Sequence, residues 1–120
     1  MKYRPAYDRE RDLILGLVEG DVDPDLVRAM SAELAESVKS SGCRKVLNDL
    51  RSAHITDSAF NIYSLPRIVK EQGVPIKCKR ALVVSEETWH SRFLETVSVN
   101  IGRQIRIFKD MDRAVEWLQT

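Results

Sequence analysis

The chain has 120 residues, 43% of them hydrophobic, which suffices for the core of one two- or three-layer domain. Nineteen basic residues against eighteen acidic ones leave a net charge of +1 with no block of one sign, which disfavours DNA, RNA and anionic membrane as main partners, because these select a strongly basic face. The opening segment MKYRPAYDRERD lacks the apolar run of a signal peptide, and no apolar stretch is long enough to span a bilayer, so a cytoplasmic protein is expected.

Lys2 to Tyr7 and Leu13 to Glu19 read as two strands, with Asp8-Arg9-Glu10-Arg11 turning between them. Gly16 inside the second predicts a bulge or the close approach of another backbone. Asp23-Pro24 starts a helix: the carboxylate caps free N–H groups, and proline at the first helical position sacrifices no hydrogen bond. Leu26, Met30, Leu34 and Val38 recur every four residues, and Gly42 is placed to end the helix. Arg44 to Leu50 is a third strand. A second helix begins near Asp57 and turns Phe60, Ile62, Leu65, Ile68 and Val69 mostly to the core; Pro66 predicts a kink or a fresh turn, and Gly73-Val74-Pro75 ends it.

Arg80 to Ser85 is a fourth strand, and a third helix from about Glu86 to Val99, capped by Ser85, carries Trp89, Phe93 and Val97 on its apolar face. Gln104 to Phe108 alternates as a fifth strand, and Asp110 caps a last short helix bearing Met111, Val115 and Leu118. The order is ββαβαβαβα. Repeated strand–helix units require right-handed crossovers, so the chain is expected to form a single α/β domain over residues 1–120, with a mostly parallel mixed five-stranded sheet, four main helices and the first strand antiparallel at one edge.

The stretch Val46 to Val69 carries the functional information, because strand ends that feed helix N-termini gather ligands and partners in α/β domains. Its candidate partner- or ligand-binding residues are Asp49, Arg51, Ser52, Thr56, Asp57 and Ser58. Asp49 can fix the loop by accepting N–H groups from Arg51 or Ser52, hold a polar ligand group, or hold a cation; no second carboxylate is near, so no metal is expected. Asp57 and Ser58 read as a helix cap and a first-turn residue, as a ligand or partner contact, or, for Ser58, as a phosphorylation site. A phosphate there gains about 0.3–1 kcal/mol from the helix N-terminus, and the charge of Asp57 opposes it.

His54 and His90 read as surface residues, since no nucleophile elbow or triad accompanies them. Cys43 and Cys78 read as reduced thiols in or beside strands, and Lys77, Lys79 and Arg80 as a solvated basic strand edge. With no coherent acid, base and nucleophile, neither an enzyme nor a cofactor is expected.

Four segments in order, VEGDVDPDL, VLNDLRSAHITDSAF, LPRIVKEQGVP and IGRQIRIFKDMDRAVEWL, resemble the STAS superfamily of sulphate-transporter and anti-sigma-factor-antagonist domains. The resemblance is closest to its small stand-alone bacterial branch, which is grouped with the Sec14-type lipid-binding fold, and it spans nearly the whole chain. In the antagonists, an Asp-Ser-Ser-Gly motif opens the helix after the third strand, and a partner kinase phosphorylates its second serine. Here the motif reads Asp57-Ser58-Ala59-Phe60, so Ala59 occupies the phosphorylated position and Ser58 matches the first serine.

The resemblance implies a non-enzymatic regulatory module that docks a protein partner through the Asp49–Ser58 loop and the helix that follows. The alternative is a carrier of a small lipid-like or apolar ligand, with Tyr63, Trp89, Phe93, Phe108 and Trp117 lining a Sec14-like cavity; a plain packed core uses the same residues. A homodimer through the helix bearing Trp89 and Phe93, or through the N-terminal edge strand, is a further expectation.

Overall fold

The apolar run from Leu13 to Val18 anchors the first hairpin of the computed structural model, which describes residues 3–55 and 59–120. β1 (Tyr3–Asp8) and β2 (Leu13–Asp21) pair antiparallel, from Tyr3 opposite Val18 to Asp8 opposite Leu13. Asp8 closes the turn: its carboxylate accepts the backbone N–H groups of Glu10 and Arg11 and the Arg11 Nε at 2.8 Å. α1 (Pro24–Ser41) follows, with Asp23 accepting the Leu26 N–H at 2.7 Å and Gly42 ending the helix at a φ of 74°. Its buried stripe is Val27, Met30, Ser31, Leu34 and Val38, so Val27 takes the inward place expected of Leu26, which is half-buried.

The chain continues as β3 (Lys45–His54), α2 (Ala59–Glu71), β4 (Lys79–Val83), α3 (Trp89–Asn100), β5 (Gln104–Phe108) and α4 (Met111–Leu118). All five strands join one sheet in the order β1-β2-β3-β4-β5, parallel except for the first pair. The α/β class, element order and antiparallel edge are those read from the sequence.

Chain-order strands advance one step per crossover in a single direction, so right-handed crossovers stack α1, α2 and α3 on the same face. There Val27, Met30 and Leu34 of α1 and Leu65, Ile68 and Val69 of α2 meet Ile14, Val46, Leu82 and Ile105 of the sheet. α4 lies on the opposite face, where Ala114 and Leu118 pack on Leu13, Leu47, Ala81 and Val83.

Three details depart from the sequence reading. β3 runs on to His54 because, beyond a bulge between Leu17 and Glu19, Ser52, Ala53 and His54 still pair with Glu19, Gly20 and Asp21. α3 begins at Trp89 because Thr88 and Ser91 form a reciprocal capping box, which outcompetes Ser85 as the start. α2 is one helix through Pro66 and does not restart after it; Pro66 has no N–H to offer the carbonyl of Ile62.

Gly16 marks a close approach, as expected, but by a side chain. A Cβ at that position would lie 2.5 Å from Cε1 of Tyr3, which is laid across the sheet.

Candidate functional site

Parallel strands all present their carboxyl ends at one edge, and helix N-termini begin there. At this edge β3 ends at His54, β4 ends at Val83, and α3 starts behind its Thr88 cap. Between them lies a groove of about 250 Å³ lined by Leu50, His54, Ile55, Ser85, Glu86 and His90, among others. Both histidines therefore face one crevice, a juxtaposition the sequence conceals because they flank adjacent strands that are distant in the chain. His54 Nδ1 is 3.9 Å from Asp21 Oδ1, and the His90 ring stands edge-on to Trp89 at 4.9 Å.

Two aromatic side chains stand out at the same edge. Tyr63, in the first turns of α2, is 67% exposed, and Trp89, the first residue of α3, is 58% exposed. Trp89 stacks on half-buried Phe93 with ring centroids 5.4 Å apart and 8° between planes, which fixes its orientation.

The residues singled out from the sequence are split between two places. Asp49 lies within β3 opposite Leu17, and it lines a shallow groove on the α4 face with Leu15, Leu17 and Met111. Arg51 clamps it, Nε on Oδ1 at 2.9 Å and Nη2 on Oδ2 at 2.8 Å, while the Arg51 backbone N–H adds a bond of 3.1 Å. Those bonds hold the Asp49 carboxyl below the usual carboxylate range. Ser52 is exposed and continues the ladder opposite Glu19. Thr56, Asp57 and Ser58 lie outside the described residues, and Ala59 is the first described residue of α2. The expected polar loop is thus mostly strand, and period-two alternation turns the Asp49–Arg51 pair toward α4.

Arg80 corrects the reading of a solvated basic edge. Lys79 and Arg80 are neighbours on a strand and point to opposite faces. Lys79 reaches the end of α4, donating to the Trp117 carbonyl at 2.6 Å with its ammonium 4.5 Å from the Trp117 ring centroid. Arg80 turns under α1–α3, where it is only 8% exposed. It ends a buried polar chain: Arg80 Nη2 donates to Asn48 Oδ1 at 3.5 Å, and Asn48 Nδ2 donates to the Tyr3 hydroxyl at 3.4 Å. Arg80 Nε has no partner among the described residues, and burial pushes the guanidinium pKa down and that of Tyr3 up.

Beside Arg80 is a cavity of about 40 Å³, walled chiefly by Val27, Met30, Leu65, Val69, Leu82 and Ile105. None of the five aromatics expected to line a carrier cavity reaches it. Tyr63 and Trp89 are exposed, Phe93 stacks on Trp89, and Phe108 packs on Trp117 against α4.

The same path of chain is found in solved structures. The anti-sigma factor antagonist SpoIIAA in its unphosphorylated form superposes with a TM-score of 0.53 at 10% identity, over 98% of this chain and 97% of that one. The fold is STAS-like. A second structure, the NMR structure of the protein TM1081, superposes with a TM-score of 0.56 at 16% identity, over 99% of this chain and 89% of that one. No protein-family model matches the sequence, and no curated protein matches it either. Within this STAS-like domain no helix among the described residues is long and apolar enough to cross a membrane, and no cluster of three or more His, Cys, Asp or Glu among them is arranged to hold a metal ion.

Proposed function

We propose that this STAS-like domain is a non-enzymatic regulatory module of the cytoplasm that binds a protein partner at the carboxyl edge of its sheet. The observation that carries the reading is the pair of exposed aromatics, Tyr63 and Trp89, at the starts of α2 and α3. Tyrosine and tryptophan supply the anchors of protein interfaces because they bury a large area at small entropic cost. The groove between His54 and His90 gives such anchors a concave neighbour. The likeness to a protein described as an anti-sigma factor antagonist supports the same class of role.

In this reading Thr56, Asp57 and Ser58 belong to the docking segment, and a phosphate on Ser58 would change its charge. Asp49 and Arg51 shape β3 beneath it, and Ser52 borders it. The test is a pull-down from the native host with Asp57→Lys, Ser58→Glu and Trp89→Ala. All three are expected to lose one common partner while keeping the circular dichroism and melting temperature of the parent. Retention of every partner by all three variants contradicts the proposal. Pairing of two copies is a separate proposal, and sedimentation at two concentrations showing monomer alone removes it.

A second reading, a ligand carrier, is favoured by one observation, the cavity beside Arg80.

A further inference from the structure

We propose that the cavity under α1–α3 binds a short-chain monocarboxylate, with the carboxylate on Arg80 and the aliphatic tail against Leu65, Val69 and Leu82. Three observations converge on it.

The first is an uncompensated charge. Arg80 is 8% exposed, its Nε has no partner among the described residues, and its bond to Asn48 is at the limit of hydrogen-bond length. No carboxylate among the described residues forms an ion pair with it, and Arg103 adds charge of the same sign nearby. Burial keeps the neighbouring Tyr3 hydroxyl and Cys78 thiol protonated, so neither serves as counter-ion. A guanidinium taken out of water is tolerated when an anion accepts its fork.

The second is the space. Arg80 lines the cavity together with the buried side chains of Asn48, Ser31 and Ser98. Its 40 Å³ corresponds to roughly three water molecules, so a small carboxylate enters with a modest opening of the walls. Propionate and butyrate displace the walls least among carboxylates with a hydrocarbon tail, whereas a long acyl chain far exceeds the space.

The third is the chemistry of the walls. A planar guanidinium matches the two oxygens of a carboxylate. The remaining walls are mainly apolar and suit a hydrocarbon tail, for which phosphate and sulfate have no counterpart. A halide would satisfy the charge and leave the apolar end empty.

The test is a methyl-resolved NMR titration of the purified protein with propionate, butyrate, octanoate, palmitate and chloride at matched ionic strength. Saturable shifts of the Leu65, Val69 and Leu82 methyls are expected with propionate and butyrate, weaker ones with octanoate and none with chloride. Arg80→Met is expected to weaken butyrate binding at least tenfold. Should that variant not fold, Leu94→Phe narrows the cavity from the α3 side with Arg80 intact, and is expected to abolish the shifts. The proposal is overturned if butyrate gives no saturable shift, if chloride reproduces it, if palmitate binds more tightly than butyrate, or if a folded Arg80→Met or Leu94→Phe variant binds butyrate as the parent does.

Discussion

Gly16→Ala puts the buried polar row of the sheet to a quantitative test. The added Cβ would stand 2.5 Å from Cε1 of Tyr3, 2.8 Å from its hydroxyl oxygen and 2.9 Å from Asn48 Nδ2, all well inside contact distance. The Tyr3 ring is 2% exposed and Asn48 is fully buried, so neither can yield toward solvent without losing burial. Overpacking of this kind costs about 1–3 kcal/mol, and displacing a large side chain from the core forfeits about 1.5–3 kcal/mol. Against this, replacing glycine gains about 0.4–1 kcal/mol through the unfolded chain.

The net loss is therefore about 2 kcal/mol, a fall in melting temperature of roughly 6–10 °C for a domain of this size. Urea unfolding followed by circular dichroism measures it, with the slope m unchanged. The same substitution in a Tyr3→Ala background is expected to lose most of its cost, because two of the three crowding atoms are gone and Asn48 can shift into the space the ring vacates. An equal cost in both backgrounds, or no cost in the parent, would refute the crowding argument.

Asp49 gives a pH signature. Arg51 lowers its folded pKa, so the pair stabilises the fold above the unfolded carboxyl pKa of about 3.9, and that contribution is lost as pH falls through the lower folded value. The gap between parent and Asp49→Asn, about 0.2–1 kcal/mol, is expected to be flat above about pH 5 and to shrink below pH ~4 in urea melts. Thr88→Ala removes the cap acceptor of α3 and is expected to cost about 0.5–2 kcal/mol, whereas Ser85→Ala costs little; equal effects would place the helix start elsewhere. Cys43 and Cys78 are buried, free and raised in pKa by burial, so a thiol reagent is expected to label them at native pH only at the rate of unfolding, and a rapid stoichiometric reaction would contradict that placement.

Much of the fold is written locally. Asp23, Gly42 and Asp110 act at helix ends where their chemistry predicts, and the alternation in Gln104 to Phe108 gives β5 its inner residues Ile105 and Ile107. What escaped depends on contacts across the sheet. β3 outlasts its apolar run because β2 resumes pairing beyond a bulge, and no feature of Arg51 to His54 announces that partner.

Lys77, Lys79 and Arg80 read as one basic group, yet strand alternation sends one amine to the end of α4 and one guanidinium into the core. The alternation of that strand was the available signal, and the charge of the cluster masked it. Gly16 reads from the sequence as a bulge or the close approach of another backbone, and Tyr3 as its neighbour follows only from the β1–β2 register. The groove between His54 and His90 was hidden for the same reason, since parallel order alone brings the ends of β3 and β4 together.

The most direct measurement of partner docking is site-specific photo-crosslinking in the native host, with a photoreactive residue at Tyr63, at Trp89 or at Ile76. Ile76 is 47% exposed and precedes β4 at the opposite edge of the sheet, which makes it the control. Docking at the carboxyl edge predicts one shared polypeptide captured from positions 63 and 89 and not from 76. Equal capture from all three positions, or capture from 76 alone, would contradict it.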